Sequence, residues 1–164
     1  LRVAINLSPL DFSQDDLAGR LLAILAEEQV QPDWLELEIT ESALLSDGQA
    51  VRDCLARFKQ AGLPLLLDDF GTGYASLTYL QQFHFDGIKI DRQFVADLPD
   101  STQSVALVRG ILTMAAQLGV EVIAEGVENE RQAAFLLLNG CQRLQGYYYG
   151  RPQPAPMVSA ASRA

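Results

Sequence analysis

A single histidine, His84, and two cysteines, Cys54 and Cys141, are all that the sequence offers as nitrogen or sulfur metal ligands. The cysteines lie far apart with no CxxC, which excludes zinc fingers and His-rich catalytic zinc sites. Two lone thiols fit a reducing, cytosolic setting. Cationic side chains are also few: 12 Lys and Arg stand against 21 Asp and Glu, a formal charge of −9. That balance argues against a surface that tracks a nucleic-acid polymer, and against a polybasic membrane patch. No membrane-spanning run is present. The most apolar stretch, Val105 to Ala124, is interrupted by Arg109, Gln117 and Glu121 and reads as a helix followed by a strand. There is no charged-then-apolar leader at the start. Also missing are GxGxxG after the first strand, GxxxxGK[ST] and GxSxG, which removes the usual dinucleotide, nucleoside-triphosphate and serine-nucleophile arguments.

What is present is a repeating unit. With 164 residues, 49% of them hydrophobic and 20% charged, the chain has the composition of one soluble globular domain. Apolar strands are expected at Leu1 to Asn6, Trp34 to Thr40, Leu63 to Asp69, Gly87 to Asp91, Val120 to Ala124 and Arg143 to Tyr148. Helices are expected around Gln14 to Glu28, Asp47 to Ala61, Ala75 to Phe83, Ser101 to Leu118 with Ser101 as N-cap, and Glu130 to Asn139 before Gly140. Alternation of this kind means βαβ units and a largely parallel α/β sheet, either doubly wound or a (β/α)₈ barrel. Six units leave a barrel short by about two strands. The abrupt start at Leu1, inside a strand, suggests a piece cut from something longer. Residues 1–153 read as the domain, and the Pro-, Ala- and Ser-rich end, 154–164, as a flexible tail.

In every unit a polar residue falls at or just past the strand's C-terminal end: Asn6, Glu38 with Glu41, Asp68 with Asp69, Lys89 with Asp91, Glu125 with Glu128, and Gln145. Five intervals separate Asn6 from Gln145, about 28 residues each, close to one βαβ unit. Taken singly, each has an ordinary structural explanation. Asp68-Asp69 before Gly71 and Gly73 could cap a helix; Lys89 and Asp91 could pair inside a barrel; Glu38 and Glu41 could be a strand-end charge and a solvated helix start. Asn6 and Gln145 could be turn or core hydrogen-bonders. Independent caps, however, have no reason to converge on the one rim where parallel sheets bind ligands. Carboxylates with an amide oxygen are hard donors suited to Mg²⁺, Mn²⁺ or Ca²⁺. Asp68 and Asp69 could each bind a different ion with one carboxylate bridging, an arrangement suited to in-line displacement at phosphorus, with Lys89 orienting water or stabilising charge. Two other features stay open. The Tyr147-Tyr148-Tyr149 run could stack on a base or pack the barrel end. Lys89 could form a Schiff base, although surrounding carboxylates would keep it protonated.

The motifs Asn6-Leu7-Ser8, Glu38-Ile39-Thr40-Glu41-Ser42, Asp68-Asp69-Phe70-Gly71-Thr72-Gly73-Tyr74, Lys89-Ile90-Asp91, Glu125-Gly126-Val127-Glu128 and Gln145-Gly146-Tyr147 occur in this order. Through them the chain resembles the EAL-domain family of cyclic di-GMP phosphodiesterases, over residues 1 to about 153. The resemblance implies a TIM-barrel-like domain and hydrolysis of cyclic di-GMP to linear pGpG. It also implies two Mg²⁺ or Mn²⁺ ions, inhibition by Ca²⁺, a homodimer, and flanking sensor or diguanylate-cyclase-type domains in a cytoplasmic or membrane-anchored parent. By motif, Asn6, Glu38 and Asp68 match metal ligands and Asp69 the residue joining the two metal sites. Lys89 matches the lysine that contacts the catalytic water. Glu125 and Gln145 match residues supporting the metal and water arrangement. Glu41 matches the glutamate anchoring the Asp69–Tyr74 loop, which is tied to metal binding and dimerisation. The Glu-x-Leu-x-Arg segment that names the family would lie upstream of Asn6 and is absent from the sequence, and Ala75 stands where many members have Ser. The alternative is therefore a non-catalytic cyclic di-GMP receptor or interaction module. An unclosed six-strand arc is expected to fold poorly alone, with two unpaired edges.

Overall fold

The computed structural model describes residues 2–44, 48–72 and 76–154. Six strands form one sheet in sequence order, every neighbouring pair parallel: β1 (Val3–Leu7), β2 (Leu35–Thr40), β3 (Leu65–Phe70), β4 (Gly87–Ile90), β5 (Glu121–Ala124) and β6 (Arg143–Leu144). Between them run α1 (Pro9–Phe12), α2 (Leu17–Glu27), α3 (Glu41–Leu44), α4 (Gly48–Gln60), α5 (Ser76–Phe83), α6 (Arg92–Val95), α7 (Thr102–Leu118) and α8 (Glu130–Leu138). Among the described residues, no helix is long and apolar enough to cross a membrane.

Successive strand residues face opposite sides, and the two sides differ in chemistry. One side carries Leu37, Ile39, Leu65, Leu67, Ile88 and Ile90, which join Leu55 and Phe58 of α4 and Val108 and Leu112 of α7 in a single buried cluster. Each such side chain stabilises the fold by about 1.5–3 kcal/mol. The other side carries Glu36, Glu38, Leu66, Asp68, Gly87, Lys89, Ile123 and Arg143. Leu66 and Ile123 are buried yet stand apart from the helix-side cluster, as an inner face requires. Gly87 makes room there: a Cβ at this position would come within 2.6 Å of Leu66 Cδ2.

The sheet curls into a partial barrel. β2 and β6 are four steps apart, about 19 Å along a flat sheet. Yet Nη2 of Arg143 donates to both carboxylate oxygens of Glu36, at 2.8 and 3.0 Å. Side chains standing upright on a flat sheet could not meet over that distance, so the contact crosses the concave interior.

Several local expectations need correction. The helix expected over Gln14 to Glu28 is α2 and starts later, at Leu17, because Asp16 takes a left-handed conformation and caps it, accepting a hydrogen bond from the Gly19 N–H at 3.1 Å; the short α1 lies before the expected range. The strand expected to Tyr148 ends at Leu144, because Gly146 packs against the backbone of Val127 so closely that a Cβ would lie 2.1 Å from the Val127 oxygen. Asp91 is not a strand residue but the N-cap of α6, accepting from the Gln93 N–H at 2.9 Å. Ser101 does cap α7, accepting from the Ser104 N–H. Ala75, most of the tail and the end of the Asp69–Tyr74 loop lie outside the described residues.

Candidate active site

At the C-terminal ends of the strands, the Lys89 ammonium is buried among three carboxylates. Its Nζ lies 2.7 Å from Glu38 Oε2, 2.6 Å from Glu125 Oε1 and 3.6 Å from Asp68 Oδ1. Strand alternation puts Glu38, Asp68 and Lys89 on the inner face. Glu125 follows directly on β5, where its N–H donates to the Ile90 carbonyl at 3.1 Å and so extends the β4–β5 ladder past the last strand residue. Burial works against the lysine's charge, but the hydrogen bonds to Glu125 and Glu38 and the charge of Asp68 outweigh it and hold its pKa above the ordinary value. A Schiff base needs a free amine, so that alternative for Lys89 loses its nucleophile. The Lys89–Asp91 pair considered from sequence gives way to these partners.

Glu125 is pushed up by burial, and by the charges of Asp68 and Glu38, against the opposing pull of Lys89. Asp69 is pushed up by burial first, then by the charges of Asp68, Asp91 and Glu41, which Lys89 only partly offsets. The backbone sets this crowding. β3 loses register with β4 between Leu67 and Phe70, and Asp69 sits there with φ of 56°, its N–H donating to Asp68 Oδ1 at 2.9 Å. The break in alternation brings two consecutive aspartates to one site, which a regular strand would not do. Glu41, buried at the start of α3, acts on Asp69 by its charge.

Asn6 lies opposite Glu38 in the β1–β2 register and is exposed on the same face. Gln145 is fixed through its backbone: its N–H donates to the Ala124 carbonyl at 2.8 Å and its carbonyl accepts from the Val127 N–H at 3.0 Å. It shares a cavity of about 230 Å³ with Arg92, Glu125, Glu128 and Tyr147. Gln132, which sequence reading missed, holds this rim in place. Buried on α8, it accepts from the Glu128 and Asn129 N–H groups and donates to the Ala96 carbonyl. The three tyrosines are exposed, with the Arg151 guanidinium 4.5 Å over the Tyr147 ring.

Among the described residues, no three His, Cys, Asp or Glu side chains are already spaced to hold a metal ion. The donor chemistry nonetheless suits a hard dication. Three carboxylates surround one ammonium, and the neighbouring carboxylate charge adds to burial in raising Asp69 and Glu125, an excess that a dication would offset.

The EAL domain family model matches residues 1–152. The chain is 38% identical over 164 residues to the cyclic di-GMP phosphodiesterase NbdA of Pseudomonas aeruginosa, covering 100% of this chain and 21% of that protein. It is 39% identical over 155 residues to the cyclic di-GMP phosphodiesterase PdeR of Escherichia coli, covering 94% and 23% respectively. It thus spans about a fifth of the length of these curated relatives. The MucR phosphodiesterase of Pseudomonas aeruginosa, solved with cyclic di-GMP, superposes with a TM-score of 0.88 at 38% identity, over 96% of this chain and 64% of that one. BlrP1 of Klebsiella pneumoniae, solved with manganese and cyclic di-GMP, gives a TM-score of 0.85 at 34% identity, over 92% and 39%.

Proposed function

The chain belongs to the EAL-domain family, and from that premise we propose that it forms the hydrolytic site of a metal-dependent phosphodiesterase that opens cyclic di-GMP to linear pGpG. The observation that carries this reading is the buried Lys89 ammonium at the strand ends, ringed by Glu38, Asp68 and Glu125 with carboxylate charge in excess.

Asn6, Glu38, Asp68 and Asp69 would hold the ions, Mg²⁺ or Mn²⁺, and the ions supply Lewis acidity at the phosphoryl group. Support comes from the donor set and from BlrP1, solved with manganese and with calcium. Lys89, fixed and protonated, positions a water and offsets charge developing on the phosphoryl oxygens. Glu125, whose proton affinity is raised and which borders the open cavity, accepts the proton of the attacking water. The P–O3′ bond breaks, the water oxygen joins phosphorus, and the released 3′ oxygen takes up a proton. Gln145 lines the same cavity and steadies the water by hydrogen bonding. Glu41 sets the Asp69 end of the loop after β3. The same reading places the protein in the cytoplasm as a homodimer, with further signalling domains in the longer chain, as the multidomain relative MucR suggests. Calcium is expected to occupy the site without supporting turnover.

One observation favours a second reading. Lys89 already fills the point on which the carboxylates converge, as in a receptor that binds cyclic di-GMP without metal. The deciding experiment incubates the full-length protein with cyclic di-GMP and Mg²⁺ or Mn²⁺ and resolves products by chromatography. Linear pGpG, lost on adding EDTA, is expected. Folded protein that binds the dinucleotide in EDTA and turns over in neither metal would establish the receptor.

A further inference from the structure

At the floor of the barrel, opposite the rim, lies an ionic cluster with no part in the chemistry above. Arg143 of β6 donates through Nη2 to both oxygens of Glu36 on β2, and through Nη1 to Glu121 Oε2 at 3.0 Å. Glu36 is buried, only 5% exposed, so its charge requires a partner. We propose that Arg143 is a positioning residue for the hydrolytic site: it clamps β6 to β2 across the interior and thereby holds Gln145 in place beside Glu125 in the rim cavity.

The argument rests on register. Glu36 and Glu38 are two residues apart on one face of β2, and Arg143 and Gln145 have the same spacing at β6. Fixing the floor positions therefore fixes the rim positions one pleat repeat higher, about 7 Å away. β6 needs this support. It has two residues and, among the described residues, pairs with β5 at two register positions, Ile123 with Arg143 and Ala124 with Leu144. The backbone bonds that continue past it, from Gln145 to Ala124 and from Val127 to Gln145, run to the β5 side, so they leave rotation about that line for the tie to β2 to oppose. The guanidinium opposes that motion because its planar fork engages acids from two different strands at once, which the single ammonium of a lysine cannot match in reach or geometry. The inference deepens the phosphodiesterase reading and rests on it only for the identity of the reaction.

The test uses full-length protein and compares Arg143→Gln, Glu36→Gln, the double variant and Arg143→Lys. The first readout is native-state hydrogen exchange at the Val127, Gln145 and Tyr148 amides, which bond across the β5–β6 loops. In Arg143→Gln these amides should exchange about ten-fold faster while those of β3 and β4 are unchanged. The double variant should be no faster than Arg143→Gln, because loss of the guanidinium already removes the pair. Arg143→Lys should recover part of the protection. The second readout is turnover of cyclic di-GMP, where kcat should fall about ten-fold or more with KM nearly constant. Unchanged exchange at Gln145, exchange accelerated equally throughout the sheet, or additive effects in the double variant would each overturn the clamp. If Arg143→Gln fails to fold, Glu36→Gln, which keeps an acceptor oxygen for the guanidinium, supplies the same comparison with smaller shifts. A wild-type protein without turnover would sink the phosphodiesterase reading, while the exchange data would still judge the clamp.

Discussion

Nζ of Lys89 stands 2.7 Å from Oε2 of Glu38, with both side chains buried. The pair cannot be read as stabilising by itself, since desolvating two charges costs about as much as their attraction returns. What the geometry does fix is the penalty for removing one partner. Lys89→Met would leave Glu38, Asp68 and Glu125 facing one another, and should destabilise the protein by about 3–5 kcal/mol in urea denaturation. Adding Glu125→Gln to Lys89→Met should restore part of that loss by removing one of the crowded charges. Turnover should fall at least a hundred-fold in both variants. A Lys89→Met protein as stable as wild type would mean that the ammonium and its three carboxylates do not meet as described.

Asp69 separates backbone from charge. Its φ of 56° lies in the left-handed region, which Asn tolerates almost as well as Asp and which costs Ala about 1–2 kcal/mol. Asp69→Asn should therefore melt at or above the wild-type temperature, since it keeps the backbone and removes a crowded charge, and should lose turnover. Asp69→Ala should lose both, and Asp69→Gly should recover stability without activity. Calorimetry of the three variants beside a product assay checks the pattern. Equal melting temperatures for Asn and Ala would remove the backbone argument.

The sequence made the rim legible because the polar residues recur once per βαβ unit, and parallel strands present their C-terminal ends together. That logic placed Lys89 with Glu38, Asp68 and Glu125 without any tertiary information. It failed where tertiary contact decides. Nothing local ends β6 at Leu144; the close approach of Gly146 to Val127 does. Nothing in Asp91 distinguishes a strand end from a cap until α6 forms behind it. Arg143 and Glu36 are 107 residues apart, and only the curl of the sheet makes them partners. A signal for them did exist, since each precedes a rim residue by two on the same face, but it selects a face and not a partner. The short helices α3 and α6 are too brief for hydrophobic periodicity to reveal.

Cys141 gives a pH dependence independent of the rim. Burial pushes its thiol up to about 11 from an ordinary 9.0, with weak acceptance by the Val122 and Arg143 carbonyls at 3.5 and 3.4 Å. Between those two values the folded protein keeps a proton that the unfolded chain has released. The folded state then binds more protons, and stability falls as pH rises. The contribution is about 2–3 kcal/mol, present in full below pH 9 and gone above pH 11. Cys141→Ala should be less stable at pH 7 through its lost packing, yet the gap to wild type should narrow steadily from pH 9 to 11. Parallel stability curves over that range would show that the thiol is not held in its neutral form.

Metal binding offers a test that needs no turnover. Hard ions that bind the carboxylates of the folded rim and not the unfolded chain must raise the melting temperature, by about 2.7 kcal/mol of stability at a hundred times the dissociation constant. Mn²⁺ and Ca²⁺ should both produce the shift, because both accept oxygen donors, while only Mg²⁺ and Mn²⁺ should support hydrolysis. Glu38→Gln and Asp68→Asn should each weaken the Mn²⁺ shift. Glu36→Gln, on the same strand face but at the barrel floor, should leave it intact, since its carboxylate is turned to Arg143. Differential scanning fluorimetry across the metal series separates these cases. A Mn²⁺ shift that survives in Glu38→Gln and Asp68→Asn would place the ion elsewhere on this acidic surface, and the rim would then act through Lys89 and its ion pairs without metal.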